Sequence, residues 1–309
     1  MLRLGLCCQF AAEPIAFRRV TAASLKGLAR GAQLDRLAAV CRHNAAALAA
    51  AIGFCGRHGI GAFRVNSQIL PLRTHPEVGY RLSDLPGAAD LRQGFDDCAR
   101  QARAWGLRLS FHPDQFVVLS SPDRDVGRRS VEELLYQAEV AEWLGAEVIN
   151  IHGGGAYGQK TAALARLRDA ITALPETLRR RLTLENDDRV HTPQDLLPVC
   201  RDAGVPLVYD VHHHRCRPDE LDVAAATGAA LATWNGREPW FHLSSPKGGW
   251  HSPAPALHDD FIAGSDFPEE WRALAVTVDV EAKAKELAVL RLRSTLCAQG
   301  LAVWGATAV

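Results

Sequence analysis

The chain has 309 residues, 48% of them hydrophobic, with 35 Lys and Arg set against 35 Asp and Glu. That hydrophobic share fills a full core, and the zero net charge excludes a chain that binds nucleic acid through overall basicity, while leaving room for a local basic groove. No stretch approaches the roughly 18 apolar residues of a membrane helix, MLRLGLCC lacks the shape of a signal peptide, and eight cysteines without a C-x-x-C pair read as reduced thiols of a cytoplasmic, bacterial-type protein.

In chain order, eight short apolar runs read as strands: residues 2–8, 62–67, 107–112, 148–154, 181–187, 206–213, 239–244 and 276–282. Between them lie stretches with apolar 3–4 spacing, such as LDRLAAVCRHNAAALAAAIGFC, VEELLYQAEVAEWLG and AKAKELAVLRLRSTLC, which read as helices. Near-continuous apolar strands alternating with helices predict a parallel sheet covered on its outer face. Eight such units predict an α/β fold, a single (β/α)8 TIM barrel over 1–309. Gly59, Gly106, Gly145 and Gly204 each stand after a helical stretch and before a strand, where a left-handed C-cap is expected. Segments 9–33 and 245–275 are long for connections in this fold and read as binding loops or lids.

The residues at the strand ends are strongly biased. Asn66 and Ser67 close the second strand, with His75 soon after. The third ends in His112, the fourth in His152, and the fifth in Glu185, Asn186, Asp187 and Asp188. The sixth carries Asp210, His212, His213 and His214, the seventh His242 and the eighth Glu281. A single histidine there is commonly a hydrogen-bonded structural residue, and a single carboxylate commonly caps a helix. Six consecutive strands delivering His, Asp or Glu to one mouth are explained more economically by cations. The absence of cysteine ligands argues against structural zinc. More than four candidate ligands imply more than one ion, with Glu185, Asp210 or Glu281 free to bridge. Clustered ions suit phosphoryl transfer and hydrolysis. Strand periodicity puts Asp210 and His212 on one face, and Asp210 meets His213 only if the chain turns after Val211. Periodicity alone does not choose among the three histidines.

The motifs FRVNSQILPL, SFHPDQFVVLSSP, VINIHGGGAYGQK, LTLENDD, VYDVHHH and EAKAKELAVLRL, in this order, resemble the UV-damage endonuclease family. The resemblance runs from about residue 2 to 294, leaving 295–309 as a C-terminal tail. It implies a TIM barrel with a metal cluster at the C-terminal ends of the strands, similar to apurinic endonuclease IV. The implied activity is metal-dependent hydrolysis that nicks damaged double-stranded DNA 5′ of UV photoproducts, and often of abasic sites. The implied metal ligands are His112, His152, Glu185, Asp210, His213, His242 and Glu281, with His75 matching a further family histidine. Glu185, Asp210, Glu281 and His258 are the implied catalytic residues. The cofactor expected is a cluster of two or three divalent ions, manganese first, with zinc, magnesium or cobalt as alternatives. Gln115 and Phe116 match the residues that probe the lesion, and Asn66, Tyr157 and Lys160 are further DNA-binding candidates. A monomer with no membrane association is expected.

Two positions depart from the family. Trp240 stands where a lysine, as a carbamate, can help to bind metal, and tryptophan cannot ligate. Leu6 lies where members often carry a DNA-binding aromatic residue. FHLSSPKGGW, with Lys247, Trp250 and His251, reads as a flexible basic loop able to track a phosphate backbone. The competing expectation is a xylose-isomerase-like enzyme acting on a small sugar, and a third is a catalytically dead binding protein.

Overall fold

The structure, a computed structural model, describes residues 1–305. Eight parallel strands close into a barrel in sequence order, β1 (Arg3–Cys7), β2 (Ala62–Val65), β3 (Arg108–Phe111), β4 (Val148–His152), β5 (Leu182–Glu185), β6 (Leu207–Asp210), β7 (Trp240–Leu243) and β8 (Thr277–Val280). β8 pairs back onto β1. Every expected strand is present, shorter than its apolar run.

Helices precede most strands and stop where the sequence provides a left-handed residue. Gly106, Gly145 and Gly204 cap helices Ala88–Trp105, Arg124–Leu144 and Pro193–Ala203 with φ of 62°, 68° and 68°. Gly59 has φ 66° and follows the His58 cap of helix Arg30–Arg57. Helix starts are equally local. Asp123 accepts from the amides of Asp125 and Val126, and Thr192 forms a capping box with Asp195.

Helix Arg30–Arg57 corrects one expectation. It contains an 18-residue window apolar enough to cross a membrane by length and composition. Of that window, 61% is buried inside the protein, with Leu37, Leu48, Ile52 and Phe54 in the main core. Its apolar surplus is what a barrel helix needs to cover a sheet.

Alternate strand residues serve two different cores. Phe63, Val65, Leu109, Phe111, Ile149, Ile151, Val278 and Val280 belong to the large apolar cluster shared with the helices. Ala62, Val148, Val208, Trp234 and Trp240 form a separate small cluster. The other alternate residues, Arg64, Arg108, Asn150, Thr183 and Asp279, are polar and buried. The barrel interior is therefore built largely of paired polar groups rather than layers of branched apolar side chains.

The long segment after β1 is fixed by one carboxylate. Glu286 accepts from the backbone amides of Ala11, Ala12 and Glu13 at 2.7, 2.7 and 3.2 Å. The chain beyond helix Glu286–Ala298 is also tied down, because Val303 bridges to Leu2 beside β1.

Candidate metal centre

The C-terminal strand ends bring seven of the expected side chains together. Three sets of ligand atoms lie within 4.8 Å of one another: His112, His152 and Glu185; Glu185, Asp210 and His213; Asp210, His242 and Glu281. Glu185 and Asp210 each belong to two sets, so the sets interlock through carboxylates.

Glu185 sits at the centre. Its Oε2 is 3.0 Å from His112 Nε2 and 4.0 Å from His152 Nε2, while its Oε1 is 3.0 Å from His242 Nδ1 and 3.4 Å from His213 Nδ1. Asn150 Nδ2 donates to Oε2 at 2.5 Å, and Thr183 Oγ1 donates to Asn150 Oδ1 at 2.9 Å. Burial opposes ionisation of Glu185, yet His242, His152, His112 and His213 hold its carboxyl well below the usual range.

The question of the three histidines is resolved by a turn at the end of β6. The strand stops at Asp210, and a short helix, Val211–Cys216, begins at once. Asp210 Oδ1 accepts from the His213 amide at 2.7 Å, which caps that helix. The turn brings His213 Nδ1 to 3.4 Å from Asp210 Oδ2 and 3.0 Å from the Asn186 carbonyl oxygen. His212 does not share the ligand face, as a regular strand would require. It is buried with ring centroids 5.2 Å from Trp250 and 5.1 Å from His258. His214 pairs with Tyr209 and Asp219 at 2.7 and 3.0 Å.

His258 and His75 stand outside the three sets. His258 Nδ1 is 3.3 Å from Ser244 Oγ and 3.8 Å from Glu281 Oε2, at the rim. His75 is turned to its own backbone, Nδ1 accepting from the amides of Glu77 and Val78 at 3.2 and 3.4 Å. It lines a neighbouring cavity with Phe116 and Tyr136. The structure therefore gathers His112, His152, His213 and His242 into ligand sets but not His75.

A cavity of about 430 Å³ opens over the cluster, lined by Asn66, His112, Gln115, Glu185, His258 and Glu281 among others. Gln115 follows His112 on its rim, and Phe116 lines the neighbouring cavity. Phe116 is 60% exposed, which excludes a core role. Asn66 Oδ1 accepts from the Gln68 amide at 2.9 Å. Tyr157 has φ 50° and is exposed with Arg166 over its ring. Lys160 is less free than expected, since its Nζ pairs with Asp195 at 2.5 Å. Gly154, in the GGGAYGQK loop, has φ 80°, and a Cβ there would lie 2.4 Å from Ser120 Oγ, so only glycine fits.

The FHLSSPKGGW loop is not loose. Trp250 Nε1 and Ser245 Oγ donate to the two oxygens of Asp266 at 2.8 and 2.5 Å.

The residues fit divalent cations, because one of their buried carboxylate oxygens is left without a partner. Asp210 Oδ2 is buried and has no hydrogen-bond partner among the described residues, although it lies in the middle of the cluster. Unsatisfied buried acceptors are costly unless something electropositive reaches them. Nitrogen and carboxylate donors together suit manganese, zinc or iron rather than calcium.

Trp240 sits below His242 on β7, buried, with the Arg108 guanidinium over its ring at 4.6 Å. It belongs to the interior apolar cluster and brings no ligand upward. Sequence reading missed Arg64 and Asp279, which lie beneath the ligands. Arg64 Nη2 is 2.7 Å from Glu281 Oε1, 2.9 Å from Asp279 Oδ2 and 2.9 Å from His242 Nε2. The available signal was a charged residue at inward positions of two otherwise apolar strands, AFRVNS and VTVDVEA.

Fold and site together define a TIM barrel carrying a histidine–carboxylate cation site at the C-terminal ends of its strands. The family described as UV-endonuclease UvdE matches residues 2–308, and the chain belongs to that family, making it an endonuclease acting on DNA. It is 36% identical over 302 residues to a UV DNA damage endonuclease of Bacillus velezensis, covering 94% of this chain and 91% of that one. It is 34% identical over 307 residues to the corresponding protein of Deinococcus radiodurans, covering 94% of each. The crystal structure of SacUVDE superposes with a TM-score of 0.87 at 25% identity, covering 98% of this chain and all of that one. Endonuclease IV from Thermus thermophilus shares the fold, with a TM-score of 0.55 at 18% identity over 81% of this chain and 93% of that one.

Proposed function

We propose that this endonuclease uses a cluster of divalent ions, manganese foremost, to hydrolyse one phosphodiester of damaged double-stranded DNA on the 5′ side of a UV photoproduct. The observation that carries the metal reading is the set of three ligand groups interlocked through Glu185 and Asp210. When bound, such ions supply Lewis acidity, polarising the phosphoryl group, acidifying water and offsetting charge on the leaving oxygen. His112, His152, Glu185, Asp210, His213, His242 and Glu281 would hold them. Glu185 and Asp210 each belong to two of the ligand sets, and the Asn150–Thr183 chain holds the Glu185 carboxylate in place. His258 stands at the rim, held through Nδ1 by Ser244, where it can move a proton at its other nitrogen.

Gln115 lines the cavity over the ligands, and Phe116 lines the neighbouring one with its ring exposed. An exposed aromatic ring is suited to fill the gap left when bases leave the stack. The same geometry serves an abasic site, which lacks the base altogether. The match to the UvdE family over residues 2–308 favours DNA over a small sugar as the substrate. The unpaired state of all eight cysteines supports the cytosolic setting.

The test is a nicking assay on 5′-labelled duplexes carrying one cyclobutane dimer, one abasic site or no lesion, with Mn²⁺, Mg²⁺ or EDTA. A Mn²⁺-dependent nick just 5′ of the dimer is expected. Cleavage that survives EDTA removes the metal, and equal cleavage of intact duplex removes the lesion.

A further inference from the structure

Asp279 is buried on β8 directly opposite His242 in register, one layer below the ligands. Its Oδ2 accepts from Arg64 Nε at 3.0 Å and lies 2.9 Å from Arg64 Nη2. Its Oδ1 is buried without a partner among the described residues. Gly5 on β1 admits it: a Cβ at that position would lie 2.1 Å from Asp279 Oδ1. A charge pair in a barrel interior is a poor source of stability, because desolvation offsets most of the Coulombic gain. An apolar pair would fill this layer at less cost.

The neighbours of Arg64 give the pair its use. Arg64 Nη2 also contacts Glu281 Oε1 at 2.7 Å and His242 Nε2 at 2.9 Å. Both belong to the set formed with Asp210. A guanidinium is a permanent cation with donors in a rigid fork, so it can orient these ligands or compete with a metal for them. Which it does depends on how much of its charge is already balanced. With Asp279 in place, Arg64 is anchored through Nε and Nη2 from below.

We infer that Asp279 is a positioning residue of the metal centre: by anchoring and neutralising Arg64, it leaves Glu281 and His242 oriented for, and available to, a divalent ion. This rests on the metal reading of the site. Asp279 Oδ2 also lies 3.8 Å from His242 Nε2, beyond hydrogen-bond reach, so its hold on the ligands runs through Arg64.

The experiment measures Mn²⁺ affinity and stoichiometry by electron paramagnetic resonance, without DNA, for the unaltered protein, Asp279→Asn and the double variant Arg64→Met/Asp279→Asn. Thermal unfolding in EDTA is followed alongside. Asp279→Asn is expected to weaken the affected Mn²⁺ position about tenfold or more, the range seen when partners of metal ligands are removed. Its unfolding in EDTA is expected to move little, because Arg64 keeps Glu281 as a partner. The double variant, which has no unbalanced guanidinium, is expected to recover most of the affinity. Should Asp279→Asn fail to fold, the double variant decides alone: an affinity within about threefold of the unaltered protein supports the inference. Unchanged affinity in Asp279→Asn overturns it, and so does a double variant that binds no better than the single one. Unaltered protein that takes up no Mn²⁺ overturns the metal reading as well, and the two failures are thereby told apart.

Discussion

At the N-terminal mouth of the barrel, Arg108 donates to Thr277 Oγ1 at 2.6 Å, Glu147 Oε2 at 2.8 Å and the Glu238 carbonyl at 3.1 Å. Arg3 pairs with the same Glu238 at 3.1 Å, and none of these side chains leaves a buried polar atom unbonded among the described residues. At the C-terminal mouth the ionisable groups are as crowded, but donors and acceptors do not match: Asp210 Oδ2, His152 Nδ1 and Asp279 Oδ1 are buried and unbonded among the described residues. The upper cluster is rich in acceptors and short of cations. The lower one matches donor to acceptor. A charge network that satisfies itself holds strands together, whereas one that leaves ligand atoms over is built for something brought from outside.

The largest effect that would break this contrast comes from the upper cluster. Glu185→Gln replaces a carboxylate shared by two ligand sets with an amide. Nicking of dimer-containing duplex is expected to fall by roughly a thousandfold, about 4 kcal/mol of barrier. Circular dichroism in EDTA is expected to match the unaltered protein. Near-normal nicking with Mn²⁺ would remove Glu185 from the centre of the mechanism.

The lower cluster should respond the other way. Arg108 is 7% exposed, but its partners Glu147 and Glu238 are 48% and 30% exposed, which screens the interaction. Arg108→Met is therefore expected to lower stability by about 2 kcal/mol, below the roughly 3–5 kcal/mol of a fully buried pair. Urea denaturation reads this directly. The rate of nicking by folded protein should not change, and a large loss would show that the two mouths are coupled.

Phe116→Ala sharpens the contrast within the upper mouth. At 60% exposure its ring contributes little to the fold, and stability is expected within about 0.5 kcal/mol of the unaltered protein. Stacking on a base is worth about 1–3 kcal/mol, so the preference for damaged over intact duplex should drop at least several-fold. Equal discrimination by both proteins, compared on matched duplexes, would assign the rim to packing.

The barrel was readable because strand and helix periods alternate cleanly and glycines mark the helix ends. Which side chains meet at the mouth was readable because strand ends converge in this fold, so position along a strand stands in for position in space. His213 was not, since its placement depends on Asp210 ending a strand and capping a helix at once, a turn invisible to a period of two. His75, read from its place soon after a strand end, serves its own turn in the structure. Arg64 and Asp279 were passed over because their meaning lies in a contact across the barrel, between residues 215 apart in sequence. Trp240 showed what was lost there, but not what the surrounding layer supplies.

The smallest expected effect is a dependence on pH whose sign differs between metal-free and metal-loaded protein. Burial opposes protonation of His213, but Asp210 and Glu185 outweigh it and raise its pKa well above the ordinary 6.5. His242 is raised in the same way by Glu185 and Glu281, against burial and the Arg64 charge. A group with a raised folded-state pKa stabilises the fold fully below its unfolded pKa, and that contribution is lost as pH rises through the folded value. Metal-free protein should therefore lose stability as pH climbs above about 6.5. Ligation needs neutral imidazole, so over the same interval protons leave the site and apparent Mn²⁺ affinity should rise, by up to about tenfold per pH unit for each proton released. Thermal unfolding at half-unit steps from about pH 6 to 8.5, in EDTA and in saturating Mn²⁺, should give midpoints that diverge with pH. Parallel curves would mean that His213 and His242 are already neutral in the metal-free site. The unbonded atoms of the upper mouth would then await a ligand without a proton holding their place.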